Sequence, residues 1–288
     1  MTFFEDAKNV VEFSLSWTKD KRYWKYYAIF AVLYFVLNLF DGKTFASAFT
    51  FENGSGVILP FLVMFLVIAA FVLSLYFSYK LLCEIMSSRF SKVREFNVST
   101  FIGLLINGVL GVLAALFSAF ELKWLALLAV GLVLAGGAAF LLAGQNTILA
   151  IALGVLAGIA LLGYGAILLR NFVRLSLSFG LYLQGSGIVE SLKSSWGKTP
   201  GKALKIFGLF LVAGIVIWAI ILAELLPQLV AGIADSVISL AGIPLKPFTA
   251  ILAAIFSPAI VLIEQFAYVA IYELIVGKTS TIKTKAKK

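Results

Sequence analysis

The feature that most constrains this chain is a series of apolar segments, each about as long as a bilayer is thick. Seven stand out, at 23–40, 57–82, 101–120, 124–143, 148–169, 204–226 and 248–276. A hydrocarbon core of about 30 Å takes roughly 20 helical residues at about 1.5 Å each. Backbone polar groups surrounded by lipid must pair within their own segment, so each reads as an α-helix. Tyr23, Trp24, Tyr26 and Trp124 fall near segment ends, where an aromatic belt belongs. Only 13% of the residues are charged, against about 25% in soluble domains, and 62% are hydrophobic. No polar stretch is long enough for a second domain. The expectation is one membrane domain over 1–288, an all-α integral membrane protein with six to eight transmembrane helices.

The net charge of +9 would suggest nucleic acid in a soluble protein. Beside membrane spans, Lys and Arg instead set orientation and meet anionic lipid head groups, so the expected partners are the bilayer and those head groups, with no nucleic acid. Four clusters hold 17 of the 23 basic residues: Lys19 to Lys25, Lys80 to Arg94, Lys193 to Lys205, and the tail from Lys278. The positive-inside rule puts both termini in the cytoplasm of a multi-pass cell-membrane protein. The start, with Glu5 and Asp6, lacks the basic region of a cleaved signal peptide, so the first span reads as an uncleaved anchor.

This orientation carries a conflict of parity. Basic loops at 83–100 and 185–203 on one side require an even number of crossings between them, yet three apolar segments intervene. Either one segment is irregular, with Ala135-Gly136-Gly137 the place for it, or 148–184 crosses twice with a turn near Arg170. Six full spans with one irregular segment is the preferred count.

Two stretches are amphipathic rather than apolar. Phe4, Ala7, Val11 and Leu15 recur at helical spacing opposite Asp6, Lys8 and Glu12, as in an interfacial helix. Ile188, Leu192 and Trp196 form a similar stripe, with Gly197 as its end and Thr199-Pro200 as the start of the next helix. After Pro227, 231–240 reads as a short outer helix. The two amphipathic stretches also match as a repeat. Val11-Glu12 and Ser16-Trp17 align with Val189-Glu190 and Ser195-Trp196, and Phe77-Ser78-Tyr79 with Glu84 aligns with Phe266-Ala267-Tyr268 with Glu273. This points to a parallel internal repeat, 3–97 and 187–278, joined by an insert at 98–184.

Ionisable residues within spans are costly and mark candidate function. Arg170 and Arg174 share a helix face one turn apart. Were their helix to end at Gln184, Arg170 would lie roughly 21 Å from that surface, and Glu264 roughly 20 Å from Gly277. The matching depths suggest that Glu264 pairs with one of the two arginines, either fixing helix register or lining a polar cavity. Asn38 and Asn107 read as interhelical hydrogen-bond partners, and Gly154 with Gly158 as a close-packing surface within the bundle. Asn53-Gly54-Ser55 fits a glycosylation acceptor and equally an ordinary turn.

There is no histidine, and Cys83 is the single cysteine. No phosphate-binding loop, nucleophile elbow or Cys/His cluster is present. The expectation is a chain without catalytic residues, cofactor or metal. The stretch from Arg170 to Leu183, followed by Gly187-Ile188-Val189-Glu190-Ser191-Leu192-Lys193-Ser194-Ser195-Trp196-Gly197-Lys198-Thr199-Pro200-Gly201, resembles uncharacterised archaeal and bacterial multi-pass proteins grouped with the membrane domain of glycerophosphodiester phosphodiesterases. Ala270-Ile271-Tyr272-Glu273-Leu274 is similar to the close of their last helix. The resemblance covers mainly 165–276 and implies a six-span-like core; in the enzymes of that group, hydrolysis belongs to a separate soluble domain. Two roles stay open: small-solute transport or lipid handling around Arg170, Arg174 and Glu264, or a non-catalytic scaffold that gathers a membrane-protein partner.

Overall fold

The computed structural model describes residues 2–39, 58–238 and 246–277. Among them every regular element is helical: α1 (Phe3–Leu15), a 3-10 turn (Ser16–Lys19), α2 (Lys21–Leu39), α3 (Ile58–Arg89), α4 (Val98–Ala119), α5 (Leu122–Ala143), α6 (Thr147–Leu175), α7 (Ser178–Leu183), α8 (Ile188–Lys198), α9 (Ala203–Ile238) and α10 (Lys246–Val276). Six segments are long and apolar enough to cross a membrane: Phe61–Arg89, Val98–Ala119, Lys123–Ala143, Thr147–Leu183, Ala203–Ala223 and Ala250–Val276. The protein is thus an all-α membrane protein. The sequence segment 23–40 is not among the six; α2 begins with Lys21, Arg22 and Lys25, which offset the apolar run behind them. The Asn53 tripeptide and the basic tail lie outside the described residues.

The chain forms two compact units, residues 1–97 with 208–288, and 98–207. The boundary differs from the repeat partition at one place. α8 packs on α4, α6 and α7, so it belongs with the central helices and not with the second repeat-like segment. α9 begins in one unit and continues in the other. It runs unbroken through Pro227, so 204–226 and the described part of 231–240 are one helix.

In the first unit α2 is antiparallel to α3. Tyr26, near the start of α2, donates its hydroxyl to Glu84 near the end of α3 at 2.6 Å, and Lys25 reaches the same carboxylate at 3.1 Å. The ends of α3 and α10 lie side by side: Arg89 is 3.8 Å from Glu273, and Phe90 meets Tyr272 edge-on. α10 contains Pro258, which cannot donate to the helix ladder. Close to this proline, Tyr27 donates its hydroxyl to the Ile255 carbonyl at 2.5 Å.

α1 starts with a capping box, Thr2 and Glu5 each bonding the other's backbone N–H. The face that packs on α10 is a small one, Ala7, Val10 and Ser14 beside Asp6. The ends of the expected apolar stripe point elsewhere, Phe4 83% exposed and Leu15 39%, while Ala7 of the same stripe is buried. Small residues let α1 lie close on the bundle; Phe13 packs on Phe266 of α10, and Phe4 and Leu15 remain for lipid.

In the second unit α5 and α6 form an antiparallel hairpin through Gly144-Gln145-Asn146, where Gln145 takes φ 63°. A Cβ added at Gly131 would meet Leu161, and one at Gly154 would touch Ala138, so these glycines bring the two helices together. No such site opens at Gly158, which faces no neighbour within 4 Å. α5 is unbroken through Ala135-Gly136-Gly137, and α6 is unbroken through Arg170. Neither expected irregularity is there.

The course of the chain through this unit differs from both expectations. α6 packs along both α5 and α4, whereas α4 and α5, joined only by Phe120 and Glu121, share no extended interface among the described residues. Two helices folded back through a two-residue link would pack along their length. The chain therefore reverses once, at Gly144–Asn146, and not at Phe120. α6 then breaks at Ser176-Leu177, and α7 continues antiparallel to α4: Ser178 bonds Asn107, and Tyr182 fills the space beside Gly103. α8 returns alongside α4, with Ser191 at Asn107 and Leu192 near Gly111. The start of α4 and the α7–α8 hairpin thus share one end of this unit.

Candidate functional site

The best-defined polar centre lies where α6 ends. Asn107 of α4 is fully buried; it donates to Ser191 Oγ at 2.6 Å and accepts from Ser178 Oγ at 2.8 Å. Ser191 also donates to the Ile188 carbonyl at 2.6 Å. One turn on, Ser195 donates to the Arg174 carbonyl at 2.6 Å, and Thr199 donates to the Ser195 carbonyl at 2.9 Å. The buried face of α8 is thus a hydroxyl stripe of Ser191, Ser195 and Thr199, not the apolar stripe of Ile188, Leu192 and Trp196. The last carbonyls of a helix lack partners of their own, and here α8 supplies them. Thr199 caps the end of α8 rather than starting the next helix, which begins at Ala203.

Arg174 sits in the last turn of α6, where a cation favours the helix dipole. Its guanidinium lies 3.7 Å from the centre of the Trp196 ring and donates Nη2 to the Trp196 carbonyl at 3.0 Å. Its buried Nε has no hydrogen-bond partner. Arg170 is one turn earlier on the same face and is exposed. Neither arginine takes part in any ion pair among the described residues. Like charges at this spacing oppose each other by about 0.2–0.5 kcal/mol.

Two cavities meet at this point. A polar one of about 220 Å³ is lined by Arg170, Arg174, Thr199, Pro200, Gly201 and Ala203. An apolar one of about 250 Å³ is lined by Ala166, Leu169 and Val173 on α6 and by Leu204 and Phe207 on α9, with Arg170 and Ala203 common to both. The turn between α8 and α9 places these walls, and Gly201 supplies its positive φ of 73°.

The single helix to Gln184 that set the expected depth of the arginines is broken: α6 ends at Leu175, within a candidate span that runs from Thr147 to Leu183. Glu264 falls in the first unit, in the middle of α10, with an exposed side chain and Tyr34 in electrostatic reach. It joins no ion pair among the described residues.

The first unit has its own polar cavity, about 590 Å³, lined by Asn9, Glu12 and Phe13 of α1 and Ser16 of the 3-10 turn, with Arg89 and Glu273 also in its wall. Arg89 is 4.2 Å from the centre of the Phe13 ring and near Glu273, so it already has both an aromatic and an anionic neighbour. Sequence reading missed this centre; the signal was the opposite charges of Arg89 and Glu273 at two helix ends. Comparison with family models, curated proteins and solved structures finds no match to this chain.

Proposed function

We propose that the protein handles lipids, binding an anionic amphiphile with its head group at Arg170 and Arg174 and its chain in the adjoining apolar cavity. The observation that supports this most is the pair of arginines, one turn apart, with no ion-pairing carboxylate among the described residues. Guanidinium groups suit phosphate and carboxylate oxygens, which they hold by paired N–H donors. Binding without catalysis fits the side chains around the site, which supply no nucleophile–base pair. The four basic clusters favour a cell-membrane protein with both termini in the cytoplasm, and the likeness of 165–276 to the phosphodiesterase-associated membrane domain suits a lipid setting.

Native mass spectrometry of the protein extracted gently from its own membrane tests this. Retained anionic lipid that is lost in Arg170→Ala supports the reading. A stoichiometric protein partner with no retained lipid would replace it with the scaffold role.

A further inference from the structure

We infer that the site selects a phosphomonoester head group carried on an apolar chain, over a phosphodiester lipid of the same chain. This deepens the proposed function and rests on it. Three observations carry it. Arg170 and Arg174 together present two positive charges that no carboxylate among the described residues pairs with. A diester carries one negative charge, and a monoester near pH 7 carries close to two. The monoester therefore matches the charge of the site, and its three terminal oxygens give both guanidinium groups an acceptor.

The second observation is size. The cavity beside the arginines measures about 220 Å³ and has Pro200 and Gly201, from the turn between α8 and α9, in its wall. A bare phosphate fits such a space more readily than one bearing a further polar substituent. The third is position. Ala203, in the wall of the polar cavity, is also the first residue of α9, whose first-turn N–H groups favour an anion. The apolar cavity shares Arg170 and Ala203, so an alkyl chain attached to the phosphate leaves along Leu169, Val173 and Phe207. That connection separates a lipid from a soluble phosphate ester.

The test is binding to the full chain in neutral detergent micelles. The probes are dioctanoyl phosphatidate, dioctanoyl phosphatidylglycerol and inorganic phosphate. Phosphatidate should bind at least tenfold more tightly than phosphatidylglycerol at pH 7.5. The preference should fade near pH 5, where the monoester loses its second charge, since that ionisation has a pKa of about 6. Arg170→Gln should bring the ratio close to one, and Arg170→Lys should keep part of it, with circular dichroism confirming that both variants stay folded.

Equal binding of the two lipids, both weakened by Arg170→Gln, would overturn the head-group selectivity and leave the anionic-lipid reading intact. Binding of neither lipid, or binding indifferent to both variants, would overturn that reading too. Inorganic phosphate binding as tightly as phosphatidate would overturn the lipid source.

Discussion

Asn107 donates to Ser191 across two helices at 2.6 Å, and neither side chain has solvent access. With Ser178 as its second partner, Asn107 ties α4 to both arms of the α7–α8 hairpin. Asn107→Ala should cost about 1–2 kcal/mol, the range found for interhelical hydrogen bonds and buried polar deletions. At that size the thermal midpoint should fall by a few degrees. Because Ser191 also bonds Ile188, the double variant Asn107→Ala/Ser191→Ala should cost less than the sum of the singles. Additive losses would mean that the two side chains do not act together.

Gly103 is where α4 admits Tyr182. A Cβ there would run into the Tyr182 hydroxyl and ring, and Tyr182 is itself buried. Gly103→Ala should therefore destabilise by about 1–3 kcal/mol through overpacking, despite its better helix propensity. Adding Tyr182→Leu should restore part of the loss, read by thermal unfolding in detergent. A neutral Gly103→Ala would show that the Tyr182 ring can turn aside at no cost.

Glu84 has two partners of unequal worth. Lys25 is 55% exposed, so its ion pair should contribute less than about 1 kcal/mol. Tyr26 is almost wholly buried, and its hydroxyl gives a 2.6 Å bond to a carboxylate, worth about 1.5–3 kcal/mol. Tyr26→Phe should thus lower stability more than Lys25→Met, and only the second effect should shrink in high salt. The reverse order would place the dominant contact on Lys25.

The single reversal in the second unit predicts sidedness. In a Cys83→Ala background, cysteines replacing Ser99 at the start of α4 and Gly187 in the α7–α8 link should react with a membrane-impermeant maleimide from one side. A cysteine replacing Gln145 in the α5–α6 turn should react only from the other. If Ser99 and Gly187 label from opposite sides, the chain also reverses at Phe120.

Hydropathy made the helices legible, since a run of about 20 apolar residues has few other folds open to it. Asn107 was also legible, because an amide inside an apolar run must find a partner. Asn38 shows the limit of that rule, for it bonds the Tyr34 carbonyl of its own helix. That α8 is amphipathic was legible, but which residues form its fully buried face was not. Periodicity weights Ile188, Leu192 and Trp196, but what α8 meets is the Arg174 carbonyl at the end of α6, and hydroxyls answer it better. The chain's course was written in turn chemistry: Gly144-Gln145-Asn146 can reverse, whereas Phe120-Glu121 has no residue suited to positive φ. The break at Ser176-Leu177 carries no Gly or Pro, so the end of α6 could not be read from composition.

The hydroxyl stripe of α8 has a consequence for how the protein is made. An eleven-residue helix bearing Glu190, Lys193 and Lys198 is too short and too polar to enter a membrane as a span in its own right. Its binding places, the Arg174 carbonyl and Asn107, exist only once α4 and α6 stand side by side. α8 is therefore a late arrival in biogenesis, seated after its neighbours have been inserted, and the pocket whose wall includes Thr199 is completed only at that step.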